Sequence, residues 1–230
     1  MAASGRLSGS EPIRAAAAPV PPLDALRPML LAERQVRPFD SEEFYEVKLD
    51  GYRLLAEFGA GHGASLRTRG GAAAERWFPE VVLGLDEVGA AGRCVVDGEV
   101  VVFDADGRCD FDQLHWRALR RRYFAGAPLV VYCMFDILVL NGEAVMDKPA
   151  IERKEMLRAL VGGSAHPALQ FVEHFSGTGR ALYGAAVRMS QEGIVAKRAE
   201  SRYAPNSRTA DWLKIKRPGA VPPGRFRRGA

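Results

Sequence analysis

The chain has 230 residues, 47% of them hydrophobic and 26% charged, with 32 basic and 28 acidic side chains and a formal net charge of +4. That length buries one sizeable core or two small ones, and that composition is ordinary for a globular protein. No apolar run approaches the roughly 20 residues that cross a bilayer, which argues against a membrane-spanning protein and a membrane partner. The three cysteines, Cys94, Cys109 and Cys133, are scattered without Cys-x-x-Cys spacing, and no histidine stands near them at ligand spacing. A reducing cytosol is expected, with neither structural zinc nor a disulfide framework. The small basic excess permits a polyanionic partner without demanding one.

In chain order, residues 1–25 are rich in Ala, Gly, Ser and Pro and read as a disordered leader, with folded sequence from 26. Strand signals follow at 43–49, 54–58, 94–103, 129–140, 169–175, 193–198 and 212–216. In the first, Glu46, Lys48 and Asp50 point to one side and Tyr45, Val47 and Leu49 to the other. By itself this is a half-buried strand with a solvated outer face. Asp106-Gly107 and Asn141-Gly142 are tight-hairpin dipeptides. Helices fit at 78–88, 112–122, 150–161 and 178–189. The first has Pro79 at its start, Gly89 after its end, and Val81, Val82, Leu85 and Val88 on one stripe. The surplus of strands in hairpins predicts an α+β class, with antiparallel sheets flanked by helices. Arg117, Arg120, Arg121 and Arg122, and again Arg217, Arg225, Arg227 and Arg228, read as solvated basic faces. Residues 218–230, rich in proline and glycine, read as a tail or a severed linker.

Three later stretches repeat the charge pattern of 46–50. In CVVDGEVVVFD, Asp97 and Glu99 share one face of a valine-rich strand, where acids are costly unless they meet a cation or water. EGIVAK places Glu192 and Lys197 at the ends of a short apolar strand, and WLKIK puts Trp212, Lys214 and Lys216 on one face. Each stretch alone fits cross-strand ion pairs on a wet sheet face. Together they offer acids for a divalent metal and lysines for phosphates along one cleft.

The ordered set K-L-D-G-Y-R at 48–53, D-G-E at 97–99, F-D at 135–136, E-G-I-V-A-K at 192–197 and W-L-K-I-K at 212–216 resembles the covalent nucleotidyltransferases. The chain is most similar to the adenylation domain of ATP-dependent DNA ligases, of the bacterial end-joining type; the resemblance runs from about Pro28 to Lys216 and implies that domain over 26–217. The resemblance implies the DNA ligase/mRNA capping enzyme nucleotidyltransferase fold, which is ATP-grasp-like. It also implies ATP as substrate, Mg²⁺ or Mn²⁺ as metal, and nicked or broken double-stranded DNA as partner in the bacterial cytosol or nucleoid. Lys48 is then the nucleophile that becomes lysyl-AMP, and Glu46 meets the adenine amino group. Arg53 and Arg69 contact nucleotide or nick, and Phe135 stacks on adenine. Glu99 holds ribose or metal, Glu192 binds metal, and Lys197, Arg208, Lys214 and Lys216 hold phosphates. In the family an oligonucleotide-binding fold follows this domain. Little chain follows Lys216, so no such domain is expected within it, which leaves room for a separate DNA-clamping or end-joining partner. The rival implications are an RNA ligase or capping-type nucleotidyltransferase, or a catalytically weak DNA-binding remnant.

The chemistry sets its own demand. An amine attacks phosphorus only as the neutral base, and removing the proton of an ordinary lysine at pH 7 costs roughly 4–5 kcal/mol. On this reading a metal at Glu99 and Glu192, with Lys197, Lys214 and Arg53, disfavours the ammonium form.

Overall fold

The computed structural model describes residues 20–33, 39 and 42–220. The strands are β1 (Leu30–Glu33), β2 (Glu43–Val47), β3 (Tyr52–Gly59), β4 (His62–Thr68), β5 (Cys94–Val101), β6 (Val131–Leu140), β7 (Glu143–Ala144), β8 (Leu169–Phe171), β9 (Phe175–Ser176), β10 (Gly193–Arg198) and β11 (Arg208–Lys216). The helices are α1 (Pro79–Glu87), α2 (Phe111–Ala118), α3 (Ala150–Val161) and α4 (Gly179–Arg188). One sheet has the order β4-β3-β5-β6-β7, with β8 also paired to β6; the other has the order β1-β11-β10-β2-β9. Among the described residues only β1–β11 and β6–β8 pair in parallel. The α+β class with antiparallel sheets therefore holds, with two parallel pairings added at the edges.

Local chemistry explains the boundaries. Pro79 opens α1 where a missing N–H costs nothing, and Gly89 follows its end at φ 72°. The Asp110 side chain caps α2 by accepting from Gln113 N at 3.0 Å. Asn141 and Gly142 both have positive φ, 50° and 86°, as a two-residue hairpin turn between β6 and β7 requires. Helices α1 and α3 cover the larger sheet, and α4 lies on β10 and β2 of the smaller one. Between the sheets Leu55, Val95, Leu138 and Val139 pack with Trp212, Tyr203 and Met29. Fully burying each such aliphatic side chain is worth roughly 1.5–3 kcal/mol, which fixes the cleft walls against each other.

Several expectations change. Leu23–Ala25 forms a 3-10 turn, and Leu23 and Leu26 are buried in the inter-sheet cluster, so packed chain begins before 26. The rest of the expected leader, 1–19, lies outside the described residues, as do Arg225, Arg227 and Arg228 in the expected tail. The strand expected at 43–49 ends at Val47, and neither face is wet: Glu43, Phe44, Tyr45 and Glu46 are all buried between β10 and β9. The strand expected at 169–175 is two short ones, β8 and β9. The helix expected at 112–122 stops at Ala118. Arg117 is not solvated but buried, paired with Glu80 at 2.6 Å. β1, β4 and β7 were not foreseen.

Candidate active site

The strand pairings converge the motifs. β2 carries Glu46 and, just past its end, Lys48, whose backbone N–H donates to the Gly193 carbonyl. On β10, Lys197 lies opposite Phe44 of β2 and Trp212 of β11, while Gly193 lies opposite Lys216. β3 and β5 set Arg53 opposite Glu99. Two glycines permit the close approach. A Cβ on Gly51 would stand 2.1 Å from the Val100 carbonyl oxygen. Gly193, beside Glu192, has φ 148°, and a Cβ there would stand 2.1 Å from the Ile215 carbonyl oxygen.

A narrow slot of about 40 Å³ is lined by Glu46, Lys48, Arg53, Glu99, Phe135, Lys197 and Trp212. A wider groove of about 610 Å³ is lined by Arg69, Glu192, Arg208, Lys214 and Lys216, and again by Lys48, Arg53 and Glu99. Every site residue expected from the sequence therefore lines one or the other, and Lys48 stands where they join.

The pairings inside are specific. The Glu46 carboxylate is buried between Lys154 Nζ at 2.6 Å and Lys197 Nζ at 2.9 Å. Lys197 also lies 4.1 Å from the Trp212 ring centre and 4.6 Å from that of Phe135. Lys48 Nζ donates to Glu192 Oε2 at 2.6 Å, and Lys216 Nζ stands 2.9 Å from the other oxygen. Arg53 donates two hydrogen bonds to Asp97, at 2.5 and 2.7 Å, and stacks 4.5 Å over Phe135. Tyr203 donates to the same carboxylate at 2.5 Å. Lys214 pairs with Glu33 at 3.1 Å, whose carboxyl it holds below the usual range. Arg69 and Arg208 are exposed on the rim, where Arg208 donates to the Leu31 carbonyl.

These surroundings tune the carboxyls in opposite directions. Burial pushes Glu99 up to about 7, against the pull of Arg53 and Lys48. Burial also pushes Glu192 up, but Lys48 and Lys216 outweigh it and hold that carboxyl below its ordinary value. Lys154 is brought down to about 8 by burial, against Glu46.

Three expected roles are qualified by this geometry. Lys197 is buried and committed to Glu46 instead of pointing an ammonium into the open groove. Two of the three Arg53 nitrogens are committed to Asp97. Glu192 is bridged by two lysines. The sequence reading missed Lys154, Arg153 and Tyr203. Its available signal was the α3 stripe, since Ala150, Lys154, Leu157 and Val161 recur at helical spacing and all are buried.

Among the described residues no group of three or more His, Cys, Asp or Glu side chains is placed to hold a metal. Glu99 and Glu192, which line the groove, still fit Mg²⁺ or Mn²⁺, since these ions keep waters and take one or two carboxylates with phosphate oxygens. Glu99, forced up by burial, is a carboxyl that a cation would relieve.

Two sheets, an aromatic slot and an adjoining groove lined by Lys48, Lys214 and Lys216 suit a phosphorylated ligand with a flat base. Residues 28–216 match the ATP dependent DNA ligase domain model, and the chain belongs to that family. It is 34% identical over 190 residues to the SPbeta prophage-derived DNA ligase-like protein LigB of Bacillus subtilis, covering 82% of this chain and 66% of that protein. It is also 34% identical over 195 residues to the multifunctional end-joining repair protein LigD of Mycobacterium tuberculosis, covering 84% of this chain and 24% of that one. A solved mycobacterial DNA ligase D, complexed with ATP and MES, matches with a TM-score of 0.72 and 30% identity, over 85% of this chain and 61% of its own. The chain thus spans less than two thirds of these relatives. A Chlorella virus DNA ligase-adenylate, at 15% identity and a TM-score of 0.62, shares the fold.

Proposed function

We propose that the folded chain from the Leu23–Ala25 turn to about residue 217 is the adenylation domain of an ATP-dependent DNA ligase and that Lys48 is its nucleophile. The Lys48 nitrogen attacks the α-phosphorus of ATP; an N–P bond forms, the bond to the leaving pyrophosphate breaks, and the amine loses a proton. AMP then passes from Lys48 to a DNA 5′-phosphate, and a 3′-hydroxyl displaces it to seal the nick. The observation that carries this reading is the placement of Lys48 Nζ at the junction of slot and groove, 2.6 Å from Glu192. Kinship with a ligase solved with ATP supports the nucleotide.

The slot takes adenine, with Phe135 against its face and Glu46 toward its amino group. The Glu46 carboxylate lines the slot between Lys154 and Lys197, and each of its oxygens has a second lone pair with which to meet such a donor. Arg53 and Arg69 meet the nucleotide and the nick, and Arg208, Lys214 and Lys216 hold phosphate oxygens along the groove, with the buried Lys197 keeping Glu46 in place. Mg²⁺ or Mn²⁺ held by Glu99 and Glu192 would supply positive charge for the triphosphate. The DNA is nicked or broken duplex, and the setting is the bacterial cytosol, with a separate DNA-clamping or end-joining partner. No helix among the described residues is long and apolar enough to cross a membrane.

Denaturing electrophoresis after incubation with α-labelled ATP and Mg²⁺ tests the proposal. A covalent band from ATP is expected. Equal labelling by GTP would favour a capping-type enzyme, and no band at all would favour a binding remnant.

A further inference from the structure

Glu46 and Phe135, the residues assigned to the edge and face of the base, are tied together by the same two ammonium groups. Lys154 Nζ lies 2.6 Å from Glu46 Oε1 and 3.4 Å from the Phe135 carbonyl oxygen. Lys197 Nζ lies 2.9 Å from Glu46 Oε2 and 3.4 Å from the same carbonyl. Lys197 lines the slot, whereas Lys154 reaches Glu46 from α3 without lining it. We propose that Lys154 is a specificity-positioning residue, whose ammonium fixes the Glu46 carboxylate against the Phe135 strand so that the slot accepts adenine and refuses guanine. This deepens the ATP-adenylation reading and rests on it.

The cost of the arrangement argues for a use. The Lys154 side chain is 1% exposed, and an ammonium taken out of water loses several kcal/mol of solvation unless it is paired. A methionine would fill a similar volume without that loss. What the lysine adds is a fixed positive point 2.6 Å from Oε1, which sets the orientation of the carboxylate that lines the slot. The adenine amino group donates at that place; the guanine carbonyl is an acceptor and would face a carboxylate. Neighbouring contacts remove Lys154's freedom to sit elsewhere. Arg153 binds Asp136 through two nitrogens at 2.8 and 2.9 Å, locking the helix to the residue next to Phe135. The Lys154 ammonium also rests 4.5 Å from the Phe171 ring centre.

Lys154 faces Glu46 from β2, Lys197 from β10, Asp136 from β6 and His174 from the β8–β9 turn. Burial, opposed by Glu46 and reinforced by Lys197, brings its ammonium down to about 8. Discrimination should therefore decline as pH rises through that value. The ATP-to-GTP ratio is the correct readout, because any effect of pH on the nucleophile acts on both nucleotides and cancels.

The experiment measures initial labelling by ATP and by GTP, from about pH 7 to 9, for wild type, Lys154→Met and Lys154→Arg. In Lys154→Met the ratio is expected to fall roughly tenfold or more, through a raised KM for ATP with little change in the rate at saturation. Lys154→Arg is expected to keep the ratio and hold it at high pH, since arginine stays charged. An unchanged ratio in Lys154→Met overturns the proposal. If that variant does not fold by circular dichroism, the arginine variant decides: a ratio that falls with pH as in wild type overturns the proposal, and a flat one supports it. If wild type takes no label, the adenylation reading fails separately. Thermal shift by ATP against GTP then tests Lys154, and equal shifts in wild type and Lys154→Met overturn its role.

Discussion

Arg153→Met should cost about 3–5 kcal/mol of stability, the usual result of stripping one partner from a buried ion pair. The figure follows from what the guanidinium does. Its side chain is fully buried, Nε and Nη2 bind Asp136 at 2.8 and 2.9 Å, and Nη1 donates to the carbonyls of Lys148 and Ser201 at 2.5 and 3.0 Å. Methionine replaces most of the volume, so the loss is electrostatic and hydrogen-bonding in origin rather than a cavity. The stranded Asp136 keeps one bond, from the Ile137 N–H at 2.8 Å. For a domain of this size each kcal/mol moves Tm by about 2–4 °C, giving a fall of about 6–20 °C. Urea unfolding followed by circular dichroism measures it. Adding Asp136→Leu should recover much of the loss, because the stranded charge goes with it. On the same helix Arg158 pairs with Glu173 at 2.7 Å in the open, and Arg158→Met should leave the midpoint unchanged. A loss below about 1 kcal/mol for Arg153→Met, or a double variant equal to the sum of the singles, would refute the reasoning.

Lys48→Ala and Lys48→Arg should both abolish the AMP adduct, since a guanidinium supplies no neutral amine; a peptide map placing AMP on another lysine would reassign the nucleophile. Glu192→Gln should cut labelling roughly 100-fold with the fold intact, and excess chelator should abolish it in wild type; full labelling in either case removes Glu192 and the metal from the mechanism. Gly51→Ala should destabilise by about 1–3 kcal/mol, because its Cβ would stand 2.1 Å from the Val100 carbonyl oxygen, and an unchanged unfolding midpoint would contradict that geometry. Arg69→Ala should weaken binding to nicked duplex and flatten its salt dependence, as titrations from low to moderate salt would record; an unaltered slope would place Arg69 off the phosphates.

What the sequence disclosed depended on whether the signal was local. Proline and glycine punctuation placed α1 and α3 well, with α3 spanning 150–161 as expected, because helix ends are set by backbone chemistry at a few positions. β4 escaped notice because Gly61 and Gly63 flank or enter an H-G-A-S-L-R-T run with only one large apolar residue, Leu66; its strand state comes from pairing with β3. Arg117 was misjudged through its neighbours. Charge density grouped it with Arg120, Arg121 and Arg122, but helical spacing puts it on the inner stripe with Leu114 and Ala118.

That the expected residues would line one cleft was legible, while their partners were not, because the partner of a charge is chosen by tertiary register. Arg53 lies opposite Glu99 across β3–β5, yet it binds Asp97, two residues along. That diagonal choice leaves Glu99 without an ion pair among the described residues, while Glu46, Asp97 and Glu192 are each held by a cation. Two lysine–carboxylate–lysine triplets therefore stand along β2 and β10 in different states of readiness. In the first, Lys154 and Lys197 hold Glu46 in place, so under the proposed assignment nothing needs to move for a base to be read. In the second, Lys48 is bound to Glu192 and, if it is the proposed nucleophile, has to leave it before its nitrogen can attack. Lys216 already neutralises the other Glu192 oxygen, so Lys48 departs without stranding a bare buried charge. On the proposed assignment, the side given to the base is thus set in advance, and the side given to the nucleophile is left able to switch.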